Sequence, residues 1–323
     1  MSAPEQRPGP WPYIAILGAV LIFANAFPAV KICIGALQRA EIAHPALAFV
    51  PMRFLPAAIF YLVLLLVARR REALALLREH PIRMFLAGVA VVPGYNIFFN
   101  WGLEEIPPGV SSLIIATAPL QTALLSIPIL GDRLRARQVA GIAVGFAGIF
   151  VIVRWGQGHD VTPAMILGAA VTVLAPTMWA LYTIFLKPVF KRHTPVTVTG
   201  VAIVLGTLPA LFLMRSGSVD ALAGEPIAVG SWIFLSLGAT VLAFYLWNVP
   251  LRVITPTALA VFVYLIPVVA VTTSILFWRG PDGQPLQEFN WWLVLGGATV
   301  LAGVALANEA FWRRRAERAP KSN

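Results

Sequence analysis

The chain alternates between long apolar segments and short polar breaks along almost its whole length. Most apolar segments hold about 20 residues, the length that an α-helix needs to cross the hydrocarbon core of a bilayer. The breaks are clusters of charged residues, glycine and proline, too short to hold a soluble domain. We therefore predict an all-α polytopic membrane protein with ten transmembrane helices, at residues 12–32, 45–68, 82–102, 108–130, 136–154, 164–187, 196–214, 230–250, 256–278 and 290–311.

The composition agrees with this pattern. Of the 323 residues, 59% are hydrophobic and 12% are charged, whereas soluble domains are about 45–50% apolar and about 25% charged. A single cysteine, Cys33, excludes an intramolecular disulfide. No cluster of His, Cys, Asp or Glu has ligand spacing, so we expect neither a metal nor a cofactor.

The basic residues indicate how the helices are oriented. The net charge is +10, and most of the 24 lysine and arginine residues fall in alternate breaks, including 69–83, 133–137, 187–192 and 313–321. Breaks rich in lysine and arginine face the cytoplasm. We predict a multi-pass protein of the bacterial inner (plasma) membrane with both termini in the cytoplasm. The charge then reflects topology and contact with anionic lipids, and not nucleic-acid binding.

Two proline-containing segments resemble each other. Pro108 is followed by Pro119 after 11 positions, and the same spacing separates Pro256 from Pro267. Each inner proline lies inside a predicted helix, where it removes a backbone hydrogen bond. We expect Pro119 and Pro267 to bend their helices.

The prolines belong to an internal repeat. The offset of 148 positions that aligns them also aligns Asn100 with Asn248. The repeat divides the chain into residues 1–155, with helices 1–5, and residues 156–323, with helices 6–10 and a basic tail. Because each half crosses the membrane five times, the second half starts on the opposite side. The sequence thus predicts two inverted repeats, an architecture of many secondary transporters.

The chain resembles the drug/metabolite transporter superfamily and, within it, the EamA-type ten-helix exporters. The resemblance implies a secondary transporter that exports small metabolites, and its aromatic-rich helices are most similar to the YddG-type amino-acid exporters. One departure is that helix 9 runs into an insertion where the family often has Gly-Glu. The matching stretches are FANAFPAVK at 23–31, APLQTALLSIPILGDRL at 118–134, WALYTIFLK at 179–187 and IPVVA at 266–270.

Polar and aromatic side chains inside the predicted helices are the candidates for contact with a substrate. Polar groups in the membrane are costly and usually face the interior of a helix bundle. The alternatives are that the rings form an interfacial belt and that the amides bridge helices. The candidate substrate-binding residues are Asn25, Tyr95, Asn96, Asn100, Gln121, Trp179, Tyr182, Tyr245, Asn248 and Tyr264.

Two cations and one glycine motif complete the candidates. Arg53 lies deep in helix 2, where it can bind a carboxylate or the C-terminus of a helix, and Lys31 lies where it can snorkel to the interface. The motif GIAVG at 141–145 predicts close helix packing within the chain. Helix 5–10 dimers remain the alternative, so we expect a monomer or a weak homodimer.

These features predict a carrier and not an enzyme. We expect export of small metabolites, amino acids including aromatic ones, by alternating access. No Asp, Glu or His falls near the middle of a predicted helix, which favours a uniporter (facilitator) over proton coupling. The alternative is a carrier for drugs or nucleotide-sugar-like metabolites, including a proton-coupled one. No HExxH or GxSxG motif supports an intramembrane enzyme.

Overall fold

A computed structural model describes most of the chain. The described residues are 10–118, 120–121, 124–125, 136–155, 162–186, 188–248, 262 and 265–307. They form helices, short 3₁₀ turns and connections, with one isolated β-bridge between Arg279 and Pro285. The predicted all-α class is confirmed, while the count of ten crossings and their inverted arrangement remain predictions.

The helices follow the predicted segments closely. Two additional helices, Arg70–Glu79 and Ser218–Ala223, occupy polar breaks between predicted segments. The helices are α1 (Trp11–Arg39), α2 (Pro45–Ala68), α3 (Arg70–Glu79), α4 (Pro81–Glu105), α5 (Pro108–Ile115), α6 (Ala136–Trp155), α7 (Pro163–Leu186), α8 (Pro195–Leu213), α9 (Ser218–Ala223), α10 (Pro226–Trp247), α11 (Leu265–Leu276) and α12 (Trp291–Ala307).

Six of the described helices are long and apolar enough to cross a membrane, namely α1, α2, α4, α7, α8 and α10. Shorter apolar helices lie within α6, α11 and α12. Most of the fourth predicted segment, with Pro119, lies outside the described residues. Pro267 lies in the first turn of α11. The two predicted proline bends therefore stay predictions.

Large apolar side chains cover much of the surface of the described helices. Phe212 is 87% exposed, Val67 82% and Trp291 75%. Exposed apolar patches of this extent mark a surface that another apolar phase covers. The lipid of a bilayer is the phase that fits helices of this length.

Two helices contain a π-helical stretch that the sequence analysis did not predict. In α4 it covers Ala90–Gly94, and in α10 it covers Phe234–Leu242. Pro93 accounts for the first, because it has no N–H with which to bond the carbonyl of Val89 four residues earlier. The repeat offset of 148 places residues 90–94 on residues 238–242, inside the second stretch.

Glycines let the backbones of α6 and α12 approach each other closely. A Cβ atom added to Gly303 would lie 2.4 Å from the backbone nitrogen of Gly145 and 2.6 Å from the carbonyl oxygen of Gly141. At Gly148 the added atom would lie 2.6 Å from the backbone nitrogen of Val300. The GIAVG motif thus serves packing within the chain, as expected.

We predict that Gly303→Ala destabilises the protein, since the new methyl group meets backbone that has little freedom to move. Overpacking of this kind costs about 1–3 kcal/mol. The midpoint of thermal unfolding in detergent should fall. Gly230→Ala is the matched control, because an added Cβ there has nothing within 4 Å. Equal midpoints for the two variants would contradict the close packing of α6 on α12.

Candidate substrate-binding site

Aromatic rings from three helices meet in the interior of the described bundle. Tyr95 stacks on Phe99 at a centroid distance of 5.4 Å and contacts Trp179 edge-on at 6.0 Å. Trp179 also lies 5.4 Å from Tyr182 and 6.2 Å from Phe244. We call these five residues the aromatic cluster. Its members come from α4, α7 and α10, so both halves of the chain contribute.

Helix α1 closes the cluster on a further side. Phe23 contacts Phe244 with centroids 5.6 Å apart, and Phe27 contacts Phe99 at 5.2 Å, both edge-on. Edge-on and offset contacts are the favourable geometries for aromatic pairs. These phenylalanines were not among the candidates from the sequence. A side chain without a polar atom gives the same sequence pattern in a binding site as in an apolar core.

Arg53 of α2 is buried beside the cluster, with 8% of its surface exposed. Its Nη1 donates to Oδ1 of Asn96 at 3.3 Å, and its Nε donates to Oγ1 of Thr240 at 3.3 Å. The guanidinium carbon lies 5.2 Å from the centre of the Phe54 ring. The arginine therefore joins α2 to α4 and α10, and its partners are neutral oxygens.

Both partners of Arg53 also satisfy the backbone of a π-helical stretch. Asn96 Nδ2 donates to the carbonyls of Val91 at 2.9 Å and Val92 at 3.0 Å. Thr240 Oγ1 donates to the carbonyl of Leu235 at 2.8 Å. A π-helical turn leaves carbonyls without their usual donors, and such turns are frequent at functional sites. Arg53 thus lies between the two irregular helices.

Asn100 lies one turn beyond Asn96 and holds the start of α2. Its Nδ2 donates to the carbonyl of Ala46 at 3.1 Å, while Glu104 accepts the Ala46 N–H at 2.9 Å. Lys31 donates to the carbonyls of Leu103 and, at 2.9 Å, Glu104, so it caps α4. The Oδ1 of Asn100 is buried and has no partner among the described residues.

Two other candidates bridge segments outside the aromatic cluster. Asn25 Oδ1 accepts a hydrogen bond from Trp278 Nε1 at 2.7 Å. Gln121 Nε2 donates to the carbonyl of Val173 at 3.0 Å, and its Oε1 accepts from the hydroxyl of Thr177. Both amides therefore tie the first half of the chain to the second.

The structure brings together four of the ten candidates, namely Tyr95, Asn96, Trp179 and Tyr182. Tyr245 is 52% exposed and is not part of the cluster. Tyr264 and the side chain of Asn248 lie outside the described residues. The assignment of these residues to substrate contact stays a prediction.

The rings of the aromatic cluster contact each other, although Tyr95, Trp179 and Phe244 are only partly buried. Two clefts lined by described residues lie elsewhere, near the end of α2. One, of about 470 Å³, is lined by residues 66–72, and the other, of about 370 Å³, by residues between Phe60 and Ala68. A molecule that enters the aromatic cluster must separate rings that contact each other.

Polar links join the two halves of the chain at both ends of the helices. At one end, Arg39 forms a two-pronged ion pair with Glu225, with distances of 2.9 and 2.6 Å, and this pair holds the pKa of Glu225 below its ordinary value. At the other end, Glu72 of α3 accepts the N–H of Thr194 at 2.6 Å and the hydroxyl of Thr197 at 2.8 Å. Glu72 thereby caps the N-terminus of α8.

Comparison with known proteins agrees with this architecture. The model of the EamA-like transporter family matches the chain twice, at residues 10–154 and 166–309. The chain belongs to the EamA-like transporter family. The family resemblance inferred from the sequence is confirmed, and membership supports a membrane transporter for a small molecule.

Two relatives of this EamA-like chain are named as amino-acid exporters. A probable terminal-alkyne amino-acid exporter of Streptantibioticus cattleyicolor is 30% identical over 94% of this chain and 95% of that protein. The aromatic amino acid exporter YddG of Ancylobacter novellus is 28% identical over 72% of this chain and 79% of that protein. A solved crystal structure shares the fold, with a TM-score of 0.56 and 22% identity over 92% of this chain and 98% of the other.

We predict that the Glu72 cap makes stability depend on pH. Burial opposes ionisation, but hydrogen bonds from the Thr194 backbone and from the hydroxyls of Thr197 and Thr194 hold the pKa of Glu72 below its ordinary value. A lowered pKa means that the carboxylate stabilises the fold above about pH 4.5. This contribution is lost as the pH falls through the pKa of the folded state.

The measurement is the midpoint of thermal unfolding of the parent protein and Glu72→Gln between pH 3 and 8. The gap between them should be largest above about pH 4.5 and should close at lower pH. It should correspond to about 1.5 kcal/mol, the low end for a hydrogen bond to a charged group. A gap that does not change with pH would contradict the role of the ionised carboxylate.

Proposed function

We propose that the chain is a secondary transporter that exports amino acids, aromatic ones among them, by alternating access between two inverted five-helix halves. The observation that carries the proposal is the aromatic cluster, to which helices of both halves contribute rings. In transporters built from inverted repeats, the substrate site lies where the repeats meet. Relatives named as amino-acid exporters support the substrate class.

The duplication is supported by three independent observations. The family model matches each half separately. The two π-helical stretches fall at positions that the repeat offset aligns. Helix contacts recur as well. Helix α1 packs on α10, and α7, the counterpart of α1, packs on α4, the counterpart of α10. We infer that residues 1–155 and 156–323 are the repeats.

The cluster suits a substrate that carries an aromatic ring. A ring that enters can replace the edge-on and offset contacts that Trp179 makes with Tyr95 and Tyr182, so separation of these side chains costs little net contact energy. The amide of Asn96 and the guanidinium of Arg53 lie beside the rings and can bind the polar part of the molecule. The side chains Asn25 and Gln121 are better explained as links between the halves.

In this proposal, the ends of the helices act as the two gates. Both termini and the Glu72–Thr194 link face the cytoplasm of a bacterium, and the Arg39–Glu225 pair faces outward. Alternating access requires that each link breaks in turn while the other holds. We propose a monomer, because the glycines of α6 are already occupied by α12.

We predict that Trp179→Ala impairs transport in proteoliposomes, because it removes the ring at the centre of the cluster. Counterflow of labelled phenylalanine or tryptophan should be saturable with the parent protein, which separates a carrier from a pore. The variant should lose about tenfold in kcat/KM, the equivalent of one or two ring contacts. Trp291→Ala is the control, since Trp291 is exposed. Equal transport by both variants would remove Trp179 from the site.

A second prediction concerns coupling to protons. The described acidic side chains lie at or beyond the ends of the long helices, so the substrate should move down its own gradient. An imposed pH gradient, with equal substrate on both sides, should produce no net uptake. Accumulation that follows the imposed pH gradient would show proton coupling instead.

A further inference from the structure

We propose that Arg53 binds the carboxylate of the transported molecule, so that the site selects amino acids and other small carboxylates over amines and uncharged amides. This inference rests on the proposed transport function and deepens it. It follows from the burial of Arg53, from its hydrogen-bond partners and from its position between the two halves.

The charge of Arg53 has no counter-ion among the described residues. Arg53 is buried, and in the part of the chain that the structure describes no Asp or Glu forms an ion pair with it. Its partners are an amide oxygen, a hydroxyl oxygen and the face of a phenyl ring. A buried charge without a counter-ion is costly, and arginine remains protonated in proteins. An anion that enters from outside removes that cost.

Other cations of the chain show the contrast. Arg39 meets both oxygens of Glu225, and Arg69 lies 3.7 Å from Glu72. Lys31, which is also inside the bundle, is satisfied by the carbonyls at the end of α4. The chain supplies an acid or a helix end to each of these residues, whereas Arg53 has neither among the described residues.

Arg53 also has N–H donors that a ligand can use. A guanidinium carries five N–H donors. The contacts of Arg53 with Asn96 and Thr240 use Nη1 and Nε, and both are long at 3.3 Å. In the described structure Nη2 makes no hydrogen bond with a protein atom. A carboxylate can therefore form the two-pronged contact that arginine prefers.

Arg53 lies next to the aromatic cluster and contacts helices of both halves of the chain. Asn96 follows Tyr95 directly, so the carboxylate end of a bound amino acid would lie next to the aromatic cluster. The contact with Thr240 belongs to α10 of the second half, and the contact with Asn96 belongs to α4 of the first. A carboxylate at Arg53 competes for both contacts, so binding acts on the junction that must change during transport.

The experiment compares ligands that differ only in the carboxylate or the amine. Labelled phenylalanine is the transported substrate, and unlabelled phenylalanine, phenylalaninamide and 3-phenylpropionate are the competitors. With the parent protein, phenylalanine and 3-phenylpropionate should compete, and phenylalaninamide should not. Arg53→Gln should raise the KM for phenylalanine by about 10–100-fold, the loss expected for a charged hydrogen-bonded pair.

Two further variants separate binding from a purely structural role. Asn96→Asp places a carboxylate against Arg53 inside the protein, so it should abolish competition by 3-phenylpropionate, and it should lower the unfolding temperature because it removes the amide that donates to the Val91 and Val92 carbonyls. Arg215→Gln removes a cation that, among the described residues, bonds only to the carbonyls of Phe212 and Met214, and it should leave KM unchanged. If Arg53 has only a structural role, Arg53→Gln should instead lower the unfolding temperature and Vmax, and the preference for carboxylates over phenylalaninamide should persist.

Direct binding distinguishes failure of this inference from failure of the proposed function. 3-Phenylpropionate should raise the unfolding temperature of the parent protein and not that of Arg53→Gln or Asn96→Asp. If no amino acid is transported but this shift is observed, the transport proposal fails and the carboxylate site stands. If phenylalanine is transported and both variants, folded, keep the parent KM and ligand preference, the carboxylate site is overturned.

Discussion

Every buried backbone carbonyl in a membrane-spanning bundle must find its donor within the protein, because lipid offers none. The two π-helical stretches create such carbonyls in the middle of α4 and α10. Asn96 and Thr240 supply the donors, and Asn96 Oδ1 and the Thr240 hydroxyl oxygen also accept hydrogen bonds from Arg53. The irregular backbone, the buried amide and the buried cation are thus one hydrogen-bonded unit. The position of the proposed site follows from it.

The same constraint organises the ends of the helices. Lys31 bonds the last carbonyls of α4, Glu104 bonds an early N–H of α2, and Glu72 bonds the N–H of Thr194 just before α8. Each charge matches the partial charge of the helix end that it meets. Lys31, which was expected to snorkel to the interface, therefore acts as a cap. Arg53 differs because it meets no helix end.

The sequence predicted the parts of the fold that depend on apolar length. Helices α2 and α7 begin and end within about one residue of their predicted bounds, whereas α1 continues to Arg39, past its predicted end at residue 32. It did not predict α3, whose charged residues resembled a loop, or the π-helical stretch of α10, which contains no proline. It placed Tyr95, Asn96, Trp179 and Tyr182 among the candidates because polar groups in lipid are costly and aromatic rings can line a cavity. It could not tell which amides bridge helices, since that depends on tertiary neighbours.

The ring contacts of the aromatic cluster have a consequence for the membrane that holds the protein. A wide aqueous chamber through the middle of a bundle would let protons and other ions follow the water. The rings of α4, α7 and α10 contact each other there, and apolar rings raise the electrostatic energy of any small ion that enters between them. Such a protein can then reside in an energised membrane without dissipating the ion gradients across it.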